Sequence, residues 1–282
     1  KADAIEIIKH YLKNKKLSNS VNFDDLCKMM SYHSCADLET IINEAAISAG
    51  FAGKESINMD DLINAVLRLQ YDSPDDFFQR DEDEIRKVAL HEAGHLVVSE
   101  VIKPGCVGLA SVRTRGRSNT GGFIHKCDDL ERRPHNIMAA LGGKAATELY
   151  YSEACASGCY SDLEKAISLL RDGLTESGTN GTSFLEFGNP RYLLSDRNSD
   201  NREAVVHAEL ERYIFQTRNI LLKNREFLEK VADALAIDGV ISGLKTSVLP
   251  SLSKNLYRSL AGVVPISSRN TSKYSIVGVW IS

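Results

Sequence analysis

Residues 87–100 of this 282-residue chain read KVALHEAGHLVVSE. Apolar residues fill most of the segment, and their spacing predicts a buried helix. On a helix, His91 and His95 lie one turn apart on the same face, so both imidazoles can bind one metal ion. Glu92 follows the first histidine and can reach a water molecule on that metal. The pattern is typical of a zinc hydrolase, in which imidazoles hold the metal and a carboxylate takes a proton from water.

The alternative interpretation of this segment is a buried helix with two incidental histidines. Polar groups without partners are costly in such an apolar setting, which favours the metal site. The longer motif His-Glu-x-x-His-x-x-Gly-x-x-His is absent, because Val98 stands where its glycine would be. Catalytic zinc usually takes a third protein ligand. Acidic residues further along the chain are the candidates, and spacing alone does not choose among Glu148, Glu153, Asp162 and Glu164.

Composition places the chain among ordinary globular proteins. Hydrophobic residues make up 43% and charged residues 26%, and the net charge of -4 does not indicate a nucleic-acid partner. The six cysteines form no Cys-x-x-Cys pair, so we interpret them as reduced thiols of an intracellular protein. Cys155 and Cys159 lie close to a ligand candidate, and we interpret them as packing residues, with thiolate ligation as the alternative. We find no signal peptide and no apolar run of the ~20 residues that span a bilayer.

Between residues 107 and 125 the pattern predicts two strands, at 107–112 and 120–125, joined by a basic, glycine-containing loop. An exposed strand edge can pair with an extended substrate backbone. The alternative is an ordinary hairpin packed on the helices. His125 and His135 are further candidates for metal ligation or for stabilising an oxyanion, and solvated side chains are the alternative.

A second apolar helix is predicted over residues 134–151, and residues 200–235 are also predicted to be helical. Gly142 and Gly143 lie in the middle of the first of these helices, where each costs roughly 1 kcal/mol relative to alanine. That cost indicates close approach to another helix, and the metal helix is the one we expect. Farther on, Ser161 is predicted to cap a helix with Asp162 in its first turn.

The first 72 residues predict a small helical domain that resembles the lid of an AAA+ ATPase. The resemblance rests on three segments: Ser34-Cys35-Ala36-Asp37-Leu38, Ile42-Asn43-Glu44-Ala45-Ala46, and Ile57-Asn58-Met59-Asp60-Asp61-Leu62. Cys35 stands where many relatives have glycine. The chain has no Gly-x-x-x-x-Gly-Lys-Ser/Thr loop, so it cannot itself hydrolyse ATP by a P-loop mechanism.

Most of the chain, about residues 1–235, resembles the FtsH-type ATP-dependent zinc metalloproteases. HEAGH at 91–95, LGGKAATEL at 141–149 and the segment 158–166 occur in the family's order and rough spacing. The resemblance implies that Asp162 is the third zinc ligand and that Glu92 is the general base. It also places Glu148 where the family has an acidic residue after its glycine pair, and we expect this carboxylate to orient a histidine.

We therefore predict a mainly α fold: a small helical AAA+ lid, then a mostly helical zinc peptidase domain with a small β element. The predicted domains are residues 1–72 (lid), 73–84 (acidic linker), 85–236 (zinc metallopeptidase) and 237–282 (an unassigned tail, in which 274–281 can form a strand).

The resemblance implies an ATP-dependent zinc metalloendopeptidase that hydrolyses unfolded or threaded proteins. Zn²⁺ is the implied cofactor, ATP is implied for the full-length parent only, and a homo-hexamer is the implied assembly. We expect a fragment of a parent that can be tethered to a membrane, with this part in the cytoplasm or an organelle matrix. One alternative is a non-catalytic, zinc-stabilised platform for an ATPase or chaperone, against which Glu92 argues. Another is a small-molecule zinc hydrolase, which would require a closed pocket.

Overall fold

The computed structural model describes residues 2–73, 81–114, 121–151, 159–179, 184–185 and 196–242. All of these residues belong to one compact unit. The predicted mainly α fold with a small β element is confirmed. Among the described residues the elements are α1 (Ala2–Leu12), α2 (Phe23–Met29), α3 (Cys35–Phe51), α4 (Met59–Tyr71), α5 (Glu82–Ile102), β1 (Val107–Thr114), β2 (Gly121–Lys126), α6 (Arg133–Tyr150), α7 (Cys159–Thr175), α8 (Asp196–Lys223), α9 (Arg225–Asp238) and β3 (Val240–Ser242).

Helices α1 to α4 pack around one apolar core in the N-terminal region. Both longer helices begin at a capping box: Ser34 and Asp37 bond each other's backbone at the start of α3, and Asn58 and Asp61 do so at the start of α4. Each such cap typically contributes about 1 kcal/mol to helix stability. The core includes the fully buried residues Leu26, Ile41, Ile42, Leu62 and Val66.

Helix α5, which carries His91 and His95, begins within the stretch that was predicted to be an acidic linker. Asp81 caps it, and Glu82, Asp83 and Glu84 form its first turn. The acidic run from Asp81 to Glu84 therefore caps and begins this helix, and its negative charge is favourable at the positive end of the helix dipole. From Ala89 to Val101 every residue of α5 is buried.

Helices α5 and α6 cross in close contact at Gly94 and Gly142. The pair Gly142-Gly143 in the sequence predicted this contact. A methyl group added at Gly94 would lie 2.3 Å from the Gly142 carbonyl oxygen, and one added at Gly142 would lie 2.7 Å from the Gly94 oxygen. Both distances are below van der Waals contact, so only glycine allows these backbones to approach so closely. The cost of two mid-helix glycines is thereby explained.

A three-stranded antiparallel sheet has the order β2-β1-β3. Among the strands that the structure describes, β2 is therefore at an edge, as the substrate-pairing hypothesis required. Strand β3 was not predicted: α9 ends at Gly239, whose φ of 72° turns the chain back, and Val240 then pairs with Ser111 of β1. One boundary prediction was wrong, because helix α7 starts at Cys159, which places Ser161 inside it and not at its cap. The stretch 200–235 is helical as predicted, and Asn224 divides it into α8 and α9.

The sheet also packs against the N-terminal helices. Phe123 of β2 stacks on Tyr71 of α4, with ring centroids 3.7 Å apart, and Leu109 of β1 belongs to the N-terminal core. The described part of the chain thus has apolar contacts across the predicted linker. The predicted strand at 274–281 lies outside the described residues. No helix that the structure describes is both long and apolar enough to cross a membrane.

Candidate metal centre

Three side chains converge at the middle of α5. Asp162 Oδ2 lies 3.1 Å from His91 Nε2 and 3.0 Å from His95 Nε2, and the two nitrogens are 3.0 Å apart. The histidines share one face of α5, and Asp162 comes from the first turn of α7. Among the described residues this is the only group of three or more His, Cys, Asp or Glu side chains placed to hold a metal ion.

The backbone around His95 fixes which nitrogen faces the site. His95 Nδ1 makes its shorter contact, 2.7 Å, with the Ala139 carbonyl oxygen of α6. The Gly143 amide also lies 3.3 Å from Nδ1, but the carbonyl contact is shorter. Since a carbonyl only accepts, Nδ1 donates in that contact, and in a neutral ring Nε2 is left with a lone pair. That lone pair points toward the Asp162 carboxylate and His91 Nε2. Converging electron pairs repel unless a cation lies between them, and two imidazole nitrogens and a carboxylate oxygen are ligands that zinc prefers. The residues present fit zinc.

Asp162 has the charge state that metal ligation requires. Burial raises the pKa of its carboxyl, but the two facing imidazoles, when their Nε2 atoms carry protons, outweigh burial and hold that pKa well below its usual range. The carboxylate is therefore ionised across the neutral range, and metal ligation needs no proton release from it.

Glu92 is buried beside this group, only 6% exposed. Burial raises the pKa of its carboxyl to about 7; His91 opposes this shift and Asp162 adds to it. Gly122 of β2 leaves room for the side chain, because a methyl group there would lie 2.3 Å from Glu92 Cγ. A carboxyl with a pKa near neutrality can both accept and return a proton, which suits a general base.

The three donors and Glu92 line one cleft of about 910 Å³. Helix α5 forms its floor, and β2, α6 and α7 contribute further walls, with Gly122, Ala139 and Ser161 among the lining residues. Sequence reasoning singled out neither Ala139 nor Gly122. The Gly121-Gly122 pair at the start of a strand was the available signal for the second, and no sequence signal marks a backbone carbonyl such as that of Ala139.

The other candidates lie elsewhere. His125 bonds Ser31 Oγ at 2.8 Å and Tyr71 Oη at 3.0 Å, on the side of the N-terminal helices, and does not line the cleft. His135 does not line the cleft either. Cys159 and Glu164 are not among the converging ligands, and Glu153 and Cys155 lie outside the described residues.

Glu148 does not orient a histidine, contrary to our expectation. Its carboxylate pairs with Lys144, one turn earlier on α6, and with Arg218 of α8, 2.5 Å away. The carboxylate therefore joins α6 to α8 through an ion pair. His95 is oriented instead by the Ala139 carbonyl, and His91 Nδ1 is buried without a hydrogen-bond partner among the residues that the structure describes.

Comparison with known families identifies the region that carries this centre. The model of peptidase family M41 matches residues 78–246, which is more than half of the chain. The chain belongs to peptidase family M41. The match includes α5, the sheet and α7, so every residue of the candidate centre lies within it.

Curated relatives of this M41 chain extend the similarity to its N-terminal helices. It is 28% identical over 285 aligned positions to the ATP-dependent zinc metalloprotease FtsH of Streptobacillus moniliformis, which covers 96% of this chain and 40% of the relative. It is 31% identical to the protein of that name from Sulfurovum sp., over 74% of this chain and 34% of the relative. The resemblance to FtsH-type proteases is confirmed. The chain spans about 33–41% of the length of these and similar relatives.

Proposed function

We propose that this chain is the peptidase portion of an ATP-dependent zinc metalloendopeptidase, with zinc held by His91, His95 and Asp162. The observation that carries the proposal is the convergence of these donor atoms to about 3 Å of one another inside a cleft. When bound there, zinc would polarise the scissile carbonyl and make water a stronger acid.

Glu92 would move the proton. Its carboxylate would take a proton from the attacking water and pass it to the nitrogen of the departing amine as the peptide bond breaks. Burial supports this role, because a pKa of about 7 allows the same group to act as base and then as acid near neutral pH. Gly122 keeps the space beside the carboxylate free of a side chain.

The substrate would be an extended polypeptide. Strand β2 lies at the edge of the sheet in the described part of the chain and lines the cleft, so a substrate backbone can pair with it largely independently of sequence. The volume of about 910 Å³ is bounded by four separate elements, which favours a chain passing through over an enclosed small molecule. Unfolded or damaged proteins present such extended backbone.

ATP dependence would come from the parent protein. The matching relatives are named ATP-dependent, and the N-terminal helices, residues 1–72 in our proposal, would be the lid of the ATPase that delivers the substrate. We likewise propose residues 73–84 as the linker and 85–236 as the peptidase domain, within a homo-hexamer. The membrane tether and the cytoplasmic or matrix location of the parent stay predictions.

Cleavage of casein, a loosely folded protein, tests the proposed function. We expect cleavage by the zinc-loaded chain, loss of cleavage after zinc is stripped with a chelator, and recovery when zinc, but not magnesium, is returned. Cleavage that persists in metal-free protein would refute the zinc mechanism.

A further inference from the structure

Lys126 lies on the side of β2 that faces the cleft. Gly122 is packed against Glu92, on the cleft side, whereas Phe123 stacks on Tyr71, on the side of the N-terminal helices. Side chains alternate along a strand, so Lys126, four residues after Gly122, shares its side. Lys126 is half-buried and lines the cleft.

A second lysine faces the same region from α7. Lys165 follows Asp162 by three residues, which places it on the neighbouring turn of the same helix face, and it also lines the cleft. Neither lysine makes an ion pair within 4 Å to a described acidic residue. Burial and then the charge of Lys165 lower the pKa of Lys126, and Cys106 and Asp129 oppose them more weakly.

The rest of the cleft is mainly acidic, although Lys87 of α5 also lines it. Asp81, Asp83 and Glu84 line it at the start of α5, about two helical turns before His91. The lysines lie instead at the end of β2 and on α7.

Lys126 is half-buried whereas Lys165 is exposed, and the charge of Lys165 disfavours the charged form of Lys126. An anion that reaches both lysines would offset this repulsion. Asp129 and Asp162 also line the cleft near the lysines, but no described carboxylate pairs with either lysine within 4 Å, so an acidic group of a ligand can do so.

We propose that Lys126 and Lys165 form a subsite for an acidic side chain of the substrate polypeptide. The subsite would give this peptidase a preference for Asp or Glu near the scissile bond. The inference rests on the proposed peptidase function and adds a substrate class to it. Four residues of strand separate Gly122, beside Glu92, from Lys126, a distance of about 13 Å. An extended substrate advances at the same rate, so the acidic residue would fall up to about four positions from the bond.

Peptide binding tests this subsite without requiring cleavage. The zinc-loaded Glu92→Gln variant would be titrated with dye-labelled peptides that carry a single Glu, Gln or Lys at one of the first four positions on either side of the central bond. Fluorescence anisotropy would give each Kd. At the position that reaches the subsite, we expect the Glu peptide to bind about tenfold more tightly than the Gln peptide, since charge-assisted bonds are the stronger ones. The Lys peptide would bind most weakly.

Matched variants separate the subsite from other sources of the preference. Added to Glu92→Gln, either Lys126→Gln or Lys165→Gln should reduce the Glu-over-Gln ratio to about twofold or less, whereas Lys126→Arg should keep most of it. Lys13→Gln is the control, because it removes the same charge from an exposed position outside the cleft.

Two results would overturn the proposal. One is equal binding of Glu and Gln peptides at every position. The other is a preference that survives in the Lys126→Gln, Lys165→Gln double variant, which would indicate that zinc itself attracts the carboxylate. Failure of the peptidase function is a separate result: the binding preference would remain while the wild-type chain, with zinc, left casein intact.

Discussion

Asp162 supplies the only negative charge among the three converging donors. Its carboxylate oxygen lies about 3 Å from both imidazole nitrogens, and those nitrogens hold its pKa low. A neutral amide at this position would keep the shape and remove the charge. The strength of metal binding should therefore depend on this residue more than on any other acidic residue of α7.

We expect Asp162→Asn to lower zinc affinity by about 100-fold or more. Changing a residue that only hydrogen-bonds to a metal ligand typically costs about 10–100-fold, and loss of a ligand should cost more. Competition with a chromophoric chelator measures the affinity. Glu164→Gln, on the same helix but outside the converging group, should leave it unchanged. Equal affinities in the two variants would exclude Asp162 as a ligand.

Glu100 gives a pH-dependent prediction away from the metal centre. Its buried carboxylate accepts hydrogen bonds from the Gly105 and Val107 amides at 2.7 and 2.8 Å. Burial raises its pKa, and these bonds only partly oppose the shift. The folded state therefore holds the proton more tightly than the unfolded state, whose value is about 4.3. The stabilisation is complete below that value and is lost as pH rises through the folded pKa.

The comparison with Glu100→Gln isolates this effect. The free energy of unfolding of the wild type, minus that of the variant, should fall as the pH rises above about 4.3. Urea unfolding at several pH values, with the same zinc loading for both proteins, measures the difference. A difference that is constant or increases with pH would contradict the raised pKa.

Sequence reasoning found the local part of the site and needed the family for the rest. His91, Glu92 and His95 lie within five residues on one helix, so helical periodicity alone places them together. Asp162 lies 67 residues beyond His95, and its approach depends on how α7 packs, which no spacing rule gives. Glu148 was assigned wrongly because its partners, one on α8, are set by tertiary packing.

At the scale of elements, the crossing of α5 and α6 holds the imidazoles in place. Gly143 faces both rings: a methyl group added there would lie 2.4 Å from His91 Cε1 and 2.5 Å from His95 Nε2. The ring nitrogens could not keep their positions beside such a group. The glycine pair thus shapes the metal centre as well as the helix contact.

We expect Gly143→Ala to weaken zinc binding at least tenfold, because the displaced rings no longer converge. The control is Gly50→Ala on α3, where nothing lies within 4 Å of the added methyl group, and this change should instead stabilise the protein by up to about 1 kcal/mol. Chelator competition and urea unfolding give the two quantities. Wild-type zinc affinity in Gly143→Ala would show that the crossing does not position the ligands.

The pattern of apolar residues and glycines predicted these helices well and the sheet only in part. Helix α6 and the glycine contact were predicted because both leave a local mark in the sequence. Strand β3 has only three residues, and its partner strand lies about 130 residues earlier, so neither periodicity nor a nearby turn reveals it. Gly239, which ends α9, was the one local signal that the chain turns there.

At the scale of the whole molecule, the cleft and the N-terminal helices meet on the two sides of one strand. Strand β2 presents Gly122 to Glu92 and Phe123 to Tyr71. In our proposal the N-terminal helices are the lid of an ATPase, so the edge strand that would hold the substrate also packs against the part that would deliver it.

The central claim is that Glu92 works as a base beside zinc. Bound zinc and the rate of casein cleavage, measured side by side on the wild type and on Glu92→Gln, test it most directly. We predict equal zinc content in both proteins and a rate at least about 100-fold lower in the variant. Cleavage by Glu92→Gln at the wild-type rate would contradict the mechanism. A wild-type protein that holds zinc and cleaves nothing would contradict the peptidase function of this chain and favour a structural platform.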